Sequence, residues 1–138
     1  MGHDMKVHLL LIPAFVSIFA ATPALSAAQA LDFAVENTGK TALKCSAAIA
    51  HWFSADLGEA APGASISFSL GVDVDSGTVF QKNSVGDRMA VQRVWCGRKG
   101  DDWRTRNEIP LERRAGVAPE PVRLRCAAEG AKTLCVAQ

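Results

Sequence analysis

The chain of 138 residues has no tyrosine, and of its three histidines only His51 falls beyond residue 30. These shortages exclude more chemistry than they suggest. A serine triad needs a histidine within reach of a serine and an acid, which leaves His51 alone, and no G-x-S-x-G elbow accompanies it. No C-x-x-C pair is present, so the four cysteines do not fit a zinc knuckle. Asp73-Val74-Asp75-Ser76-Gly77 opens like a calcium loop but lacks the third ligand position and the later glutamate, and reads as a turn. No metal, cofactor or nucleic-acid partner is expected. The chain is read as non-enzymatic, with a small hydrolase using His51 as the surviving rival. No repeat stands out, and the one rival to a strand, a helix over the alanine-rich Thr41–Phe53, would group Cys45, Ile49 and Phe53 but strand Trp52.

A long apolar run is also missing. Val7 to Ala21 is shorter than the ~20 residues that cross a bilayer, and Pro13 interrupts it. Preceded by Lys6 and followed by the small residues Ala24 to Ala30, it has the layout of a secretory signal peptide. Met5 is an alternative start, and a retained anchor is the rival reading. Ala28-Gln29-Ala30 predicts cleavage after Ala30, with cleavage after Ala28 as the second choice. That makes residues 1–30 the leader and residues 31–138 one domain with no transmembrane segment, periplasmic or secreted. No cysteine near the cut offers a lipid attachment point.

What is present in the mature part is four cysteines, an even number, which in an exported chain predicts two disulfides. The strands Val122–Cys126 and Thr133–Val136 are symmetric about Gly130-Ala131, a two-residue loop with glycine first as a type II′ turn requires. This places Cys126 opposite Cys135 at a non-hydrogen-bonded pair, whose ~4.5 Å Cα spacing a disulfide accepts. Cys45 then pairs with Cys96. On the loop-closure model the longer bridge contributes roughly 4 kcal/mol and the hairpin bridge ~2.7 kcal/mol.

The strands follow from period-two alternation. Leu31–Glu36 alternates, and Asn37–Lys40 turns. A long strand over Thr41–Phe53 puts Leu43, Cys45, Ala47, Ile49, His51 and Phe53 on one face, and Lys44, Ser46, Ala48, Ala50 and Trp52 on the other. Ser65–Leu70 points Ile66, Phe68 and Leu70 inward. Short strands at Thr78–Gln81 and Trp103–Ile109 flank Arg88–Gly97, the strand that carries Cys96. Glu112–Pro121 reads as an exposed irregular loop, the easiest place for a protease. The result is an all-β, small antiparallel β-sandwich with immunoglobulin-like architecture. The likeness is architectural only, since Trp95 directly before Cys96 is not the immunoglobulin spacing and no tyrosine exists for its corner.

If Cys45 and Cys96 face the core, alternation turns Trp52, Met89, Val91, Arg93 and Trp95 outward, a stripe of the kind that marks interaction surfaces. A loop such as Glu112–Pro121 covering these tryptophans is the competing account. Trp103 with Arg104 and Arg106 is a second candidate, as a stacking platform or an internal cation–π brace. Charge is uneven. Residues 31–87 carry three bases and seven acids; residues 88–125 carry ten bases and five acids. The expected function is an exported binding module that meets a protein or cell-envelope component through the apolar-aromatic face. The alternatives are an anionic-ligand or polysaccharide binder using the basic half, and a small protease or hydrolase inhibitor presenting the Glu108–Pro121 loop.

Overall fold

A computed structural model of the chain describes residues 1–2, 28–50 and 53–138. The expected leader falls almost wholly outside the described residues, as do His51 and Trp52. The described chain is all-β: β1 (Gln29–Asn37), β2 (Leu43–Ile49), β3 (Phe53–Ala60), β4 (Ser65–Asp73), β5 (Thr78–Lys82), β6 (Arg88–Arg98), β7 (Asn107–Ile109), β8 (Val122–Glu129) and β9 (Lys132–Ala137). Among these residues no helix is long and apolar enough to cross a membrane.

The nine strands join into one sheet in the order β3-β2-β6-β5-β4-β1-β8-β9, with β7 beside β6. Every pair is antiparallel except β1 with β8, which run parallel. The all-antiparallel expectation fails at this pair because a long connection, residues 110–121, separates β7 from β8. Only a tight hairpin forces the chain to reverse, so β8 is free to enter alongside β1 in its own direction.

β6 is where the sheet changes company. Along one edge, Arg88–Ala90 pair with β5 and Val94–Cys96 pair with β7; along the other, Val91–Arg98 pair with β2. Between the two halves lies a bulge: Ala48 pairs with Arg93 and Ile49 with Val91, leaving Gln92 without a counterpart. An extra residue shifts the alternation by one position. Val91 therefore turns into the core with Val94 and Cys96, all about fully buried, and Met89 packs against the same core. This corrects the expectation that Met89 and Val91 face outward.

The expected long strand Thr41–Phe53 ends at Ile49, and the chain returns as β3. β3 carries its own bulge, since Cys45 pairs with Gly58 and Ser46 with Asp56, leaving Leu57 unpaired. Gly58 has φ +128° there, and a Cβ would stand 2.9 Å from Ile66 Cγ2. The expected strand Trp103–Ile109 shrinks to Asn107–Ile109. Ahead of it, buried Thr105 donates its hydroxyl to the Asp101 carbonyl at 2.7 Å and accepts the Arg98 N–H at 2.8 Å, which closes a tight turn instead.

The core gathers the inward residues of β1, β2, β4 and β6, with Phe33 stacked on Phe68 at 4.5 Å. Asn37 is its one fully buried amide. It donates to Thr41 O at 2.9 Å and Ala60 O at 3.0 Å and accepts the Gly39 N–H at 3.0 Å, so no polar group of its side chain is stranded. Cys45–Cys96 and Cys126–Cys135 are both bonded, with Cα separations of 4.0 and 4.1 Å. Each bridge joins residues directly opposite on neighbouring strands. In the immunoglobulin architecture the corresponding bond crosses between two sheets.

Candidate functional site

Inward placement of Leu43, Cys45 and Ala47 forces Lys44, Ser46 and Ala48 onto the outer face of β2. Beside them on β6 stand Arg93 and Trp95, and beyond the bulge of β3 stand Phe53 and Ser54. These residues, with Asp102 and Trp103 from the turn after β6, line an open groove of about 960 Å³. Its lining combines small side chains with aromatic rings.

One glycine makes this geometry attainable. A Cβ on Gly97 would lie 2.2 Å from the Asp102 carbonyl oxygen, so only glycine lets the turn settle onto the strand. Asp102 is thereby set over Trp95. Its Oδ2 accepts the Trp95 indole N–H at 2.8 Å and the Ser46 hydroxyl at 3.0 Å. Trp95 is consequently only 4 % exposed, which corrects its expected outward position: alternation does aim it away from Cys96, but the Asp101–Thr105 turn roofs it. The covering segment is this turn, not the Glu112–Pro121 loop.

Among the described residues, Trp103 is the tryptophan that reaches solvent, at 47 % exposure. It meets Trp95 edge to face, with centroids 5.1 Å apart, while the Arg106 guanidinium lies 3.9 Å over its ring and donates to its carbonyl at 2.8 Å. Arg106 is thus a brace for the ring. Glu108 takes both Arg106, at 3.1 Å, and Arg93, at 3.6 Å, which ties the turn to the groove wall. Phe53, which also lines the groove, is 64 % exposed. Lys44 pairs with Asp56 at 3.2 Å, and this contact holds the ammonium above its ordinary value. The Gly58 N–H, and after it Lys44, hold the Asp56 carboxyl below its ordinary value.

The structure thus brings together Arg93, Trp95, Trp103 and Arg106, sends Met89 and Val91 to the core side, and leaves Arg104 on the surface, paired with Asp101 at 3.9 Å. Three contributors escaped sequence reasoning: Asp102, Ser46 and Phe53. The signal for Asp102 was a buried indole N–H in need of an acceptor, with Gly97 marking the close approach. Among the described residues no group of three or more His, Cys, Asp or Glu side chains could hold a metal ion.

The basic half does not form an unbroken positive face. Arg98, Arg104, Arg106 and Arg114 pair with acids of the same half. Three further pairs join the two halves: Arg88–Asp73 at 3.6 Å, Lys99–Glu59 at 2.6 Å and Arg125–Glu36 at 3.3 Å. The loop expected to be the most open is also held down. Arg113 donates to the Val91 and Gln92 carbonyls, beside the β6 bulge, at 3.0 and 2.9 Å, and the Gly116 N–H donates to Val74 O at 2.7 Å. Compared with protein-family models, with curated proteins and with solved structures, the chain matches none of them.

Proposed function

We propose that this chain is an exported, non-enzymatic binding module whose β2–β6–β3 groove receives a protein or cell-envelope component. The observation that carries the reading is that two exposed rings, Phe53 and Trp103, line the same groove together with small side chains. Exposed aromatics beside an arginine are the side chains that most often dominate binding energies. Trp95 and Asp102 are the supports that fix the groove wall. The anionic-ligand reading has less support, because the arginines it needs are already paired with acids. The inhibitor reading would use the strapped 110–121 connection.

Export rests on the leader-like segment together with two disulfides in a chain of this size. Gln29 and Ala30 pair with Val72 and Gly71, so cleavage after Ala28 retains the whole of β1 and is the preferred site. We read the rolled sheet, with β6 shared between its two parts, as a sandwich-like layering that departs from the immunoglobulin pattern in its bridge and in its parallel pair.

The test is crosslinking capture from envelope and secreted fractions at low and high salt, comparing the processed wild-type chain with a Trp103→Ala, Phe53→Ala variant. Both rings are exposed, so the variant keeps the fold, checked by its melting curve. A defined partner retained in high salt and lost by ~10-fold or more in the variant supports the groove. Capture that ignores the rings and vanishes in salt removes the groove reading and favours the charged surface.

A further inference from the structure

The sheet has two ends, and they are built differently. β3 at one end carries a bulge at Leu57 and the charges of Asp56 and Glu59, devices that keep a strand edge from pairing. β9 at the other end, Lys132–Ala137, has its one charge beside the hairpin turn, at Lys132; the stretch Thr133-Leu134-Cys135-Val136-Ala137 carries no charge, proline or bulge. Leu134 and Val136 are 57 % and 61 % exposed on one face.

The direction of the β9 backbone groups follows from its contacts. Gln138 donates its N–H to Arg123 on β8 at 3.0 Å, whereas Thr133 donates away from β8, to Thr105 at 2.8 Å. The 4.1 Å spacing of Cys126 and Cys135 is that of a non-hydrogen-bonded pair. Even-numbered residues therefore bond to β8. Cys135 and Ala137 turn their N–H and C=O groups to the open edge.

We propose that β9 pairs antiparallel with β9 of a second copy of this chain, Cys135 of each lying opposite Ala137 of the other. This register uses the four outward groups of each strand and is confined to Leu134–Gln138, so it leaves Thr133 with Thr105. It sets Val136 on the two-fold axis opposite its own counterpart, in a close non-hydrogen-bonded pair. The cross-strand neighbour of Val136 on β8 is Arg125, whose head is drawn to Glu36 at 3.3 Å. The axis is thus flanked by arginine stems whose charges are already matched, and no like charges confront each other.

Sedimentation equilibrium of the chain, with Val136→Lys and Val136→Glu variants alone and mixed, tests this. The expected result is reversible dimerisation of the wild type, weakened ~10-fold or more in either variant alone by like charges on the axis, and restored when the two variants are mixed. Circular dichroism of each variant confirms that it is folded. A wild-type chain that stays monomeric up to ~1 mM overturns the proposal, whether or not the edge accepts a strand from another protein. So does a dimer that survives both substitutions, or a mixture that fails to recombine.

Discussion

Glu112 shows how much of this molecule's electrostatics is local. Its carboxylate accepts the Arg114 guanidinium at 2.9 and 3.0 Å and the Arg114 backbone N–H at 2.9 Å, which pulls its pKa from 4.5 down to about 2. Because the folded value lies below the ordinary one, the contribution of this contact is complete above pH 4.5. It is lost as the pH falls toward 2. A carbon-detected titration is expected to find the Glu112 midpoint near 2 and to find it raised toward 4.5 in Arg114→Ala; an unmoved midpoint would remove Arg114 as the cause. The group is exposed, so the effect belongs to the ordering of its own turn and not to global stability.

At the scale of elements, the connection between β7 and β8 behaves as a strap. Arg113 caps two carbonyls beside the β6 bulge, and the same segment presses on Gly77, where φ is +74° and a Cβ would lie 2.0 Å from Arg113 O. Arg113→Ala is expected to speed cleavage within residues 110–121 by ~5-fold or more, with little change in the melting curve, since only local opening becomes easier. An unchanged digestion rate would show that the backbone contacts of Gly116 suffice. The strands most legible in the sequence were those that bury every second residue without interruption: β1, β4 and the β8–β9 hairpin with its Gly130-Ala131 turn. β3 was hidden because an edge strand buries little, and Asp56 and Gly58 serve its bulge at the expense of strand propensity. The β6 bulge was equally hidden, since an extra residue leaves no mark in composition yet reverses every facing before it. Of the site, Arg93, Trp95 and Trp103 could be picked out, but their roles depended on a turn that brings Asp102 over the indole. That approach is a tertiary event written only in Gly97.

For the whole molecule, the two bridges stand in different relations to the fold. Cys45–Cys96 spans 51 residues of sequence and closes the chain around β2 to β6, whereas Cys126–Cys135 spans 9 within one hairpin. Replacing each pair by alanines is expected to cost about 4 and ~2.7 kcal/mol respectively in chemical denaturation, on the loop-closure model. Equal losses, or a larger loss for the hairpin pair, would place the stabilisation in native packing around Cys126, which is fully buried. The parallel pairing of β1 with β8 links strands about ninety residues apart in sequence, a non-local contact that slows folding relative to the hairpins.

The strap lies between Cys96 and Cys126 and so belongs to neither covalent ring. A single cut there divides the chain into two pieces that no sulfur bond connects: a larger one holding β1 to β7, and a ring-closed hairpin of β8 and β9 whose ladder against β1 is intact. The fold is therefore two complementary fragments joined by one removable tether, and that position is the natural place to split the protein, to reconnect its ends in a new order, or to insert another sequence.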